Sequence, residues 1–506
     1  MREKLRTEGQ MRFPGAALIA FFIAGTTCLT LSMVGIYPLE VLATWLSPDH
    51  QISPAFREIL SRQQRHLGWA FAAGCAAIFF WNRQARSSLT SPGPKRPGRA
   101  APLILAVISG LLCLWAQSSL FQNVPHVTDA TCHVFQAKIF SEGRLSAEAP
   151  ACPAAFYQHN MVMTQDGRWF ARYPPGTAGM IALGMTIGAE KLVLPALHAI
   201  SVIALFYGSL FFFSRKTAMI TAGLYAVSPL TLLLGASFMS HTPFMAAALS
   251  GLALFFHSAK GTAKQALRRQ PFLAGLIFGS TILFRPQDTA IVLVMCGIGM
   301  LLTPFPAWRP IGRRLPFAFL GAIIPLSVFL LYNHQAYGTM LSTGYGFDDQ
   351  DALQEGISVS FGLSKDYGLA DATRNTLNIL YKYNAALLGW PISLLFVPIT
   401  LLPAIMTRKH LACWLSAGFV GAFFFLYSYP AYEFEARFWI LLTPPVLILT
   451  AEGIRWMVEN PSWRGAVIGC LVTCFTYAAI DYWPHTIVPH YGNDYEQTSP
   501  ELDAQA

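Results

Sequence analysis

TDATCHVFQAKIFSEGRLSAEAPACPAAFYQHNMVMTQDGRWFARYPPG, residues 128–176, is a long polar interruption in an apolar chain. An apolar run ends near Phe121 before it, and another begins after Pro174-Pro175. A soluble domain carries roughly 25% charged residues. This chain of 506 residues carries 12%, and 54% of it is hydrophobic. The stretch is therefore read as a loop of a polytopic membrane protein, where the remaining polar residues are the informative ones. We read it as half of an active site.

Working outward, apolar runs suited to a hydrocarbon core of roughly 30 Å fall near 13–36, 66–82, 101–120, 191–214, 217–236, 243–258, 271–284, 288–302, 315–333, 388–406, 411–429, 438–456 and 464–483. The expectation is an all-α polytopic membrane protein with about 13 transmembrane helices and extracytoplasmic juxtamembrane helices. With the N-terminus in the cytoplasm, most of the 35 Lys and Arg fall in inner loops. These are 1–12, 83–100, 215–216, 259–270, 303–314 and 408–409, with Arg455 and Arg464 on the same side. That bias places the C-terminus outside. The run 176–188 cannot then be a full span, so it is expected as a short re-entrant or interfacial helix entered through proline.

The N-terminal MREKLRTEGQMR and its apolar run imitate a signal peptide. Without a small-x-small cleavage site we read them as an uncleaved first helix. The net charge of +9 is spread over short loops and reads as an orientation signal, not as a nucleic-acid footprint. There is no P-loop or dinucleotide fingerprint. Residues 1–100 form two helices plus a basic Pro/Gly/Ser-rich linker, 101–483 the remaining helices, and 484–506 a polar tail. The notable outer segments are 121–190, 237–244, 334–387 and 429–438.

Each candidate has a bland counterpart. Asp129 suits a general base at the membrane surface, or a helix N-cap. His126, His133, His159 and His241 suit acid–base or metal chemistry, or plain hydrogen bonding, and no pair has a metal-site spacing. Arg172-Tyr173-Pro174-Pro175-Gly176 offers an anion site at a helix start, or an interfacial anchor. Arg285 and Asp288 interrupt an apolar segment and either line a cavity or pair with each other. Glu433, Glu435 and Arg437 suit a phosphate contact or snorkelling charges. Asp348, Asp349 and Asp351 suit a divalent cation or a solvated turn. Cys132 and Cys152 share the outer loop, as a disulfide or as two thiols. Together, one carboxylate and the cations Arg172, Arg285 and Arg437 face one side, as transfer from a lipid-linked phosphate donor requires.

The order of these motifs resembles the GT-C superfamily of integral-membrane glycosyltransferases, in particular the family 39 protein mannosyltransferases and the lipid A aminoarabinose transferases. The matching letters are Asp129, Phe135-Gln136-Ala137, Gly143-Arg144-Leu145, Tyr173-Pro174-Pro175, Ser240-His241, Arg285-Pro286 and Arg437, between about 101 and 456. The resemblance implies inverting transfer from a polyprenyl-phosphate sugar to a hydroxyl of a glycolipid, polysaccharide or protein. Asp129 would be the base, with Arg172, Arg285 and Arg437 on the donor phosphate. His133, Lys138, Tyr173, His241, Asp288 and Glu435 are further active-site candidates. It also implies a multi-pass protein of a bacterial inner membrane whose site faces the periplasm. Members often carry Asp-Glu in the first loop, whereas Ala130 stands second here. The requirement for a divalent metal is therefore open, with Asp166 or Glu142 as possible substitutes. An O-antigen ligase or polymerase would use the late loop 334–387, which holds only Arg374. A lipid or sugar transporter would want midplane charges and a repeat, and we find no convincing repeat.

Overall fold

The computed structural model describes residues 54–87, 100–156, 160–258, 266–302, 311–344, 360–364, 367–428 and 436–487, with Ile23, Ala24 and Thr27. The expected first span at 13–36 lies almost wholly outside these residues. So do His159, Glu433, Glu435 and the Asp348–Asp351 turn.

Helix α1 (Pro54–Ser87) covers the expected span 66–82. Helix α2 (Ala101–Ser119) is followed by a polar turn and then α3 (Thr128–Ser141). After α3 the 128–176 stretch forms a small antiparallel sheet of β1 (Ala147–Glu148), β2 (Met161–Met163) and β3 (Arg168–Ala171), in the order β1-β3-β2. Helix α4 (Pro175–Thr186) closes the loop. At 1.5 Å per residue its 12 residues reach about 18 Å, too short to cross a bilayer core. It has the expected length and start of the short helix after Pro174-Pro175.

Next come α5 (Glu190–Phe212), α6 (Arg215–Val227), α7 (Pro229–Ala236), α8 (His241–Ser258), α9 (Ala266–Gly279), α10 (Pro286–Leu301) and α11 (Leu315–Tyr337). The expected span 217–236 is the pair α6–α7, bent by 55°. Pro229 opens α7, where its missing N–H costs nothing. The bend delivers the turn 237–240 and the start of α8 to one end of the bundle.

The last part contains β4 (Ser360–Phe361), α12 (Leu369–Leu388), α13 (Arg408–Phe425), β5 (Tyr427–Ser428), a 3-10 segment Ala436–Leu442, α14 (Thr443–Glu459) and α15 (Pro461–Tyr477), which runs on as a π-helix, Ala478–Ile487. Strands β4 and β5 pair. Residues 388–406 do not form the expected span. They fold as turns with a 3-10 piece, Pro398–Leu401. Pro391, Pro398 and Pro403 interrupt any continuous helical ladder there, and the Asn384 amide satisfies local backbone at Pro391 and Leu394.

By length and composition, five helices among the described residues can cross a membrane, or six with the bent pair as one span. The expected count of about 13 is not confirmed. The chain is a multi-pass helical membrane protein by that measure. Close packing in it uses small residues, which let backbones approach. A Cβ on Gly275 would lie 1.8 Å from the Ala318 carbonyl, and one on Gly321 would lie 2.0 Å from the Phe272 carbonyl. These contacts join α9 to α11.

The bundle end opposite α3 carries a buried charge network in a span that reads as apolar. Glu452 accepts from Thr217, from Arg455 Nε at 3.1 Å and Nη2 at 3.0 Å, and pairs with His410 Nε2 at 3.1 Å. Every partner is supplied by α6, α13 or α14, so the network ties three helices together without leaving an uncompensated charge.

Candidate active site

The site is assembled from the ends of elements. Helix α3 starts at Thr128 after Val127, which makes no side-chain cap. Asp129 therefore is not the N-cap of its helix. It sits in the first turn, where the helix dipole favours a negative charge, and its oxygens turn away from the α3 backbone. The other end of α3 is closed by Gly143 at φ +75°. The Arg144 N–H donates to the Ile139 carbonyl and the Gly143 N–H to the Phe140 carbonyl, a glycine-closed helix end of the Schellman type. This accounts for the Gly-Arg-Leu letters.

Gln136 docks the small sheet on α3. Its Oε1 accepts from the Ala171 N–H at 2.9 Å and its Nε2 donates to the Leu145 carbonyl at 2.9 Å. Cys132, Met161 and Ala171 pack beneath, with Phe135, Trp169 and Tyr173 against them. Cys132 is buried and Cys152 exposed, and both are free thiols, so the disulfide alternative does not hold in this structure. The β2–β3 turn is tight, with Gly167 at φ +78° after Asp166, as a three-residue hairpin loop demands. Across the open end of the hairpin the Arg172 N–H donates to the Asn160 carbonyl at 3.1 Å.

That open end meets Asp129. Asn160 Nδ2 donates to Asp129 Oδ1 at 2.9 Å, and the Tyr173 hydroxyl donates to the same oxygen at 2.6 Å. The other oxygen, Oδ2, lies 3.5 Å from Arg437 Nη1. Asp129 keeps 28% of its side-chain surface exposed, so the carboxylate is both held and reachable. Arg437 lies in the 3-10 segment before α14, with its guanidinium 5.6 Å from the Phe438 ring and Nη1 3.9 Å from Met239 sulfur.

Three further candidates are His133, Arg285 and His241. His133 lies one turn along α3, and its ring is 4.9 Å from that of Tyr173. Burial pulls its titration down to about 4, the Asp129 charge opposing this and Arg285 adding to it. It is a neutral imidazole at neutral pH. Arg285 precedes α10 and pairs with the buried Asp288, while its Nη1 is 3.3 Å from the Ser240 hydroxyl. The bland reading of this turn, that the two residues pair with each other, is what the structure shows. His241 opens α8, is buried, and neither ring nitrogen has a partner among the described residues. Unsatisfied buried polar groups are rare and need a reason.

Not every expected residue converges. The Arg172 guanidinium is bound to the Gly344 carbonyl, from Nε at 3.1 Å and Nη2 at 3.0 Å. It fastens the first outer loop to the start of the late one. Lys138 is on the exposed face of α3. Asp166 and Glu142 are exposed and paired with Arg168 and Arg144, so neither stands in as a second acid beside Asp129. His126 is bound to the Phe121 carbonyl at 2.9 Å. Glu435 lies outside the described residues. Asn160 was missed by the sequence reading. Asp166-Gly167 between MVM and RWFA is a hairpin signal, and the register it sets puts Asn160 opposite Arg172, next to Tyr173.

Among the described residues no group of three or more His, Cys, Asp or Glu could hold a metal ion. Around Asp129 the reason is visible. Oδ1 is occupied by two donors, Oδ2 faces a guanidinium, and Asp288 is tied to Arg285. Among the described residues the donor set around Asp129 does not fit a divalent cation.

No protein-family model and no curated protein matches the chain. Among solved structures it is similar to ArnT from Cupriavidus metallidurans bound to undecaprenyl phosphate, with TM-score 0.49 and 13% identity over 71% of this chain and 61% of that one. It is similar also to the archaeal oligosaccharyltransferase AglB from Archaeoglobus fulgidus in complex with an inhibitory peptide and a dolichol-phosphate, with TM-score 0.41 and 11% identity over 75% of this chain and 55% of that one. The chain thus spans less than two thirds of the length of either structure.

Proposed function

We propose that this chain is a membrane glycosyltransferase that moves a sugar from a polyprenyl-phosphate donor to an acceptor hydroxyl at the outer face of the membrane. The observation that carries this reading is the Asp129 carboxylate, held on one oxygen and open on the other beside Arg437. The motif order that resembles the GT-C superfamily supports it. In the reaction, Asp129 takes the proton of the acceptor hydroxyl. The hydroxyl oxygen bonds to the anomeric carbon as the bond from that carbon to the phosphate oxygen breaks, and the anomeric configuration inverts. The bonding pair leaves with the phosphate, whose charge is met by Arg437 and Arg285. The His241 ring N–H, unpaired among the described residues, donates a hydrogen bond to a phosphate oxygen. Preorganised cations of this kind are worth most in a site that excludes water.

Because the donor set among the described residues does not fit a divalent cation, the guanidinium groups carry the charge balance. The acceptor is a glycolipid, polysaccharide or protein. Steady-state kinetics with both substrates varied test the assignment. Arg437→Ala is expected to raise the donor KM and lower kcat/KM for donor about a hundredfold or more, with the acceptor KM little changed. An effect confined to the acceptor would remove Arg437 from the donor phosphate.

A further inference from the structure

We infer that Asn160 and Tyr173 are positioning residues for Asp129, fixing its carboxylate so that Oδ2 alone takes the acceptor's proton. The inference rests on the reading of Asp129 as general base. A carboxylate oxygen accepts along two lone-pair directions. On Oδ1 both are taken, by Asn160 Nδ2 at 2.9 Å and the Tyr173 hydroxyl at 2.6 Å. The oxygen left for chemistry is Oδ2, which has Arg437 at 3.5 Å beside it.

The two donors come from one rigid unit. Asn160 immediately precedes β2 and Tyr173 follows β3 by two residues, and the backbone bond from Arg172 to Asn160 closes the hairpin between them. Strand register, with Met161 opposite Ala171, sets their separation. Gln136 bonds the hairpin to the helix that carries Asp129. The His133 ring backs the Tyr173 ring. A partly exposed Asp would otherwise sample several side-chain rotamers, and a base misplaced by about 1 Å loses of order a hundredfold in rate. The small sheet in the polar loop thus aims the acid, a role that packing alone does not require of two donors on one oxygen.

The test uses full-length protein in detergent, host-cell total lipid extract as donor and acceptor pool, and newly formed polyprenyl phosphate as the readout. Undecaprenyl phosphate serves as the binding probe. Asn160→Ala and Tyr173→Phe are each expected to lower kcat by about tenfold to a hundredfold, with undecaprenyl phosphate affinity and Tm unchanged. In an Asp129→Asn background neither is expected to lower the residual rate further. Tyr173→Phe keeps the ring packed and carries the test if Asn160→Ala folds poorly. Wild type forming no polyprenyl phosphate, or Asp129→Asn turning over at the wild-type rate, would overturn the base itself and this inference with it. An inactive Asp129→Asn beside Asn160→Ala and Tyr173→Phe variants of near wild-type rate would overturn the positioning role alone. So would further loss in the Asp129→Asn background.

Discussion

Residues at the site differ in whether their partners are near or far in sequence, and that difference decides what could be read from the chain. Asp129 and Arg437 stood out because a charge at a membrane edge is costly. Asn160 did not, because it carries no charge and its partner Asp129 lies 31 residues away. Arg172 stood out for the same reason as Arg437, yet its guanidinium is bound to the carbonyl of Gly344. Charge alone does not tell a ligand-facing Arg from one that staples backbone.

His133 offers a test in pH. The folded protein holds it neutral down to about 4, whereas its ordinary value is 6.5. Between those values the unfolded chain binds the extra proton, so stability falls as pH drops from about 6.5 to about 4. His133→Phe keeps an aromatic ring against Tyr173 and removes that contribution. Its Tm, measured against wild type from pH 7 to 4.5, is expected to gain steadily on the acid side. A constant difference would mean His133 is not held neutral. Arg285→Gln should likewise destabilise by about 3 kcal/mol, because it strands a buried carboxylate. Combining it with Asp288→Asn should restore much of the loss in thermal unfolding.

Elements were legible where period and punctuation agreed. The Gly143 stop of α3, the proline start of α4 and the apolar runs of α2, α5 and α11 follow from local chemistry. Residues 388–406 were not, since apolar content suggested a span while three prolines forbade one. The small sheet was passed over because strands of two to four residues leave little alternation to see. The α9–α11 contact makes a further prediction. Gly321→Leu puts a side chain where the Phe272 carbonyl lies, so the helices must separate, and overpacking of this kind costs about 1–3 kcal/mol. Thermal unfolding should show the loss, and Gly297→Leu, where nothing lies within 4 Å, should show little.

On the scale of the whole molecule the two bundle ends are chemically distinct. One gathers Asp129, Tyr173, Arg285, His241 and Arg437. The other holds Arg215, Lys216, Lys409 and Arg455 around the Glu452 network. By the positive-inside bias we propose that the basic end is cytoplasmic and the site outside. In sealed right-side-out vesicles a membrane-impermeant maleimide is therefore expected to label the exposed Cys152 and to spare the buried Cys132. Labelling of Cys152 only in inverted vesicles would reverse the orientation. Saturating EDTA is expected to leave turnover unchanged, because two guanidinium groups carry the charge balance.

The central claim, that Asp129 is the base, is tested most directly by single turnover of Asp129→Asn loaded with polyprenyl-phosphate sugar. The account predicts normal insertion, Tm and undecaprenyl phosphate binding, with transfer reduced at least a thousandfold, about 4 kcal/mol at the transition state. Transfer at close to the wild-type rate in that variant would contradict it.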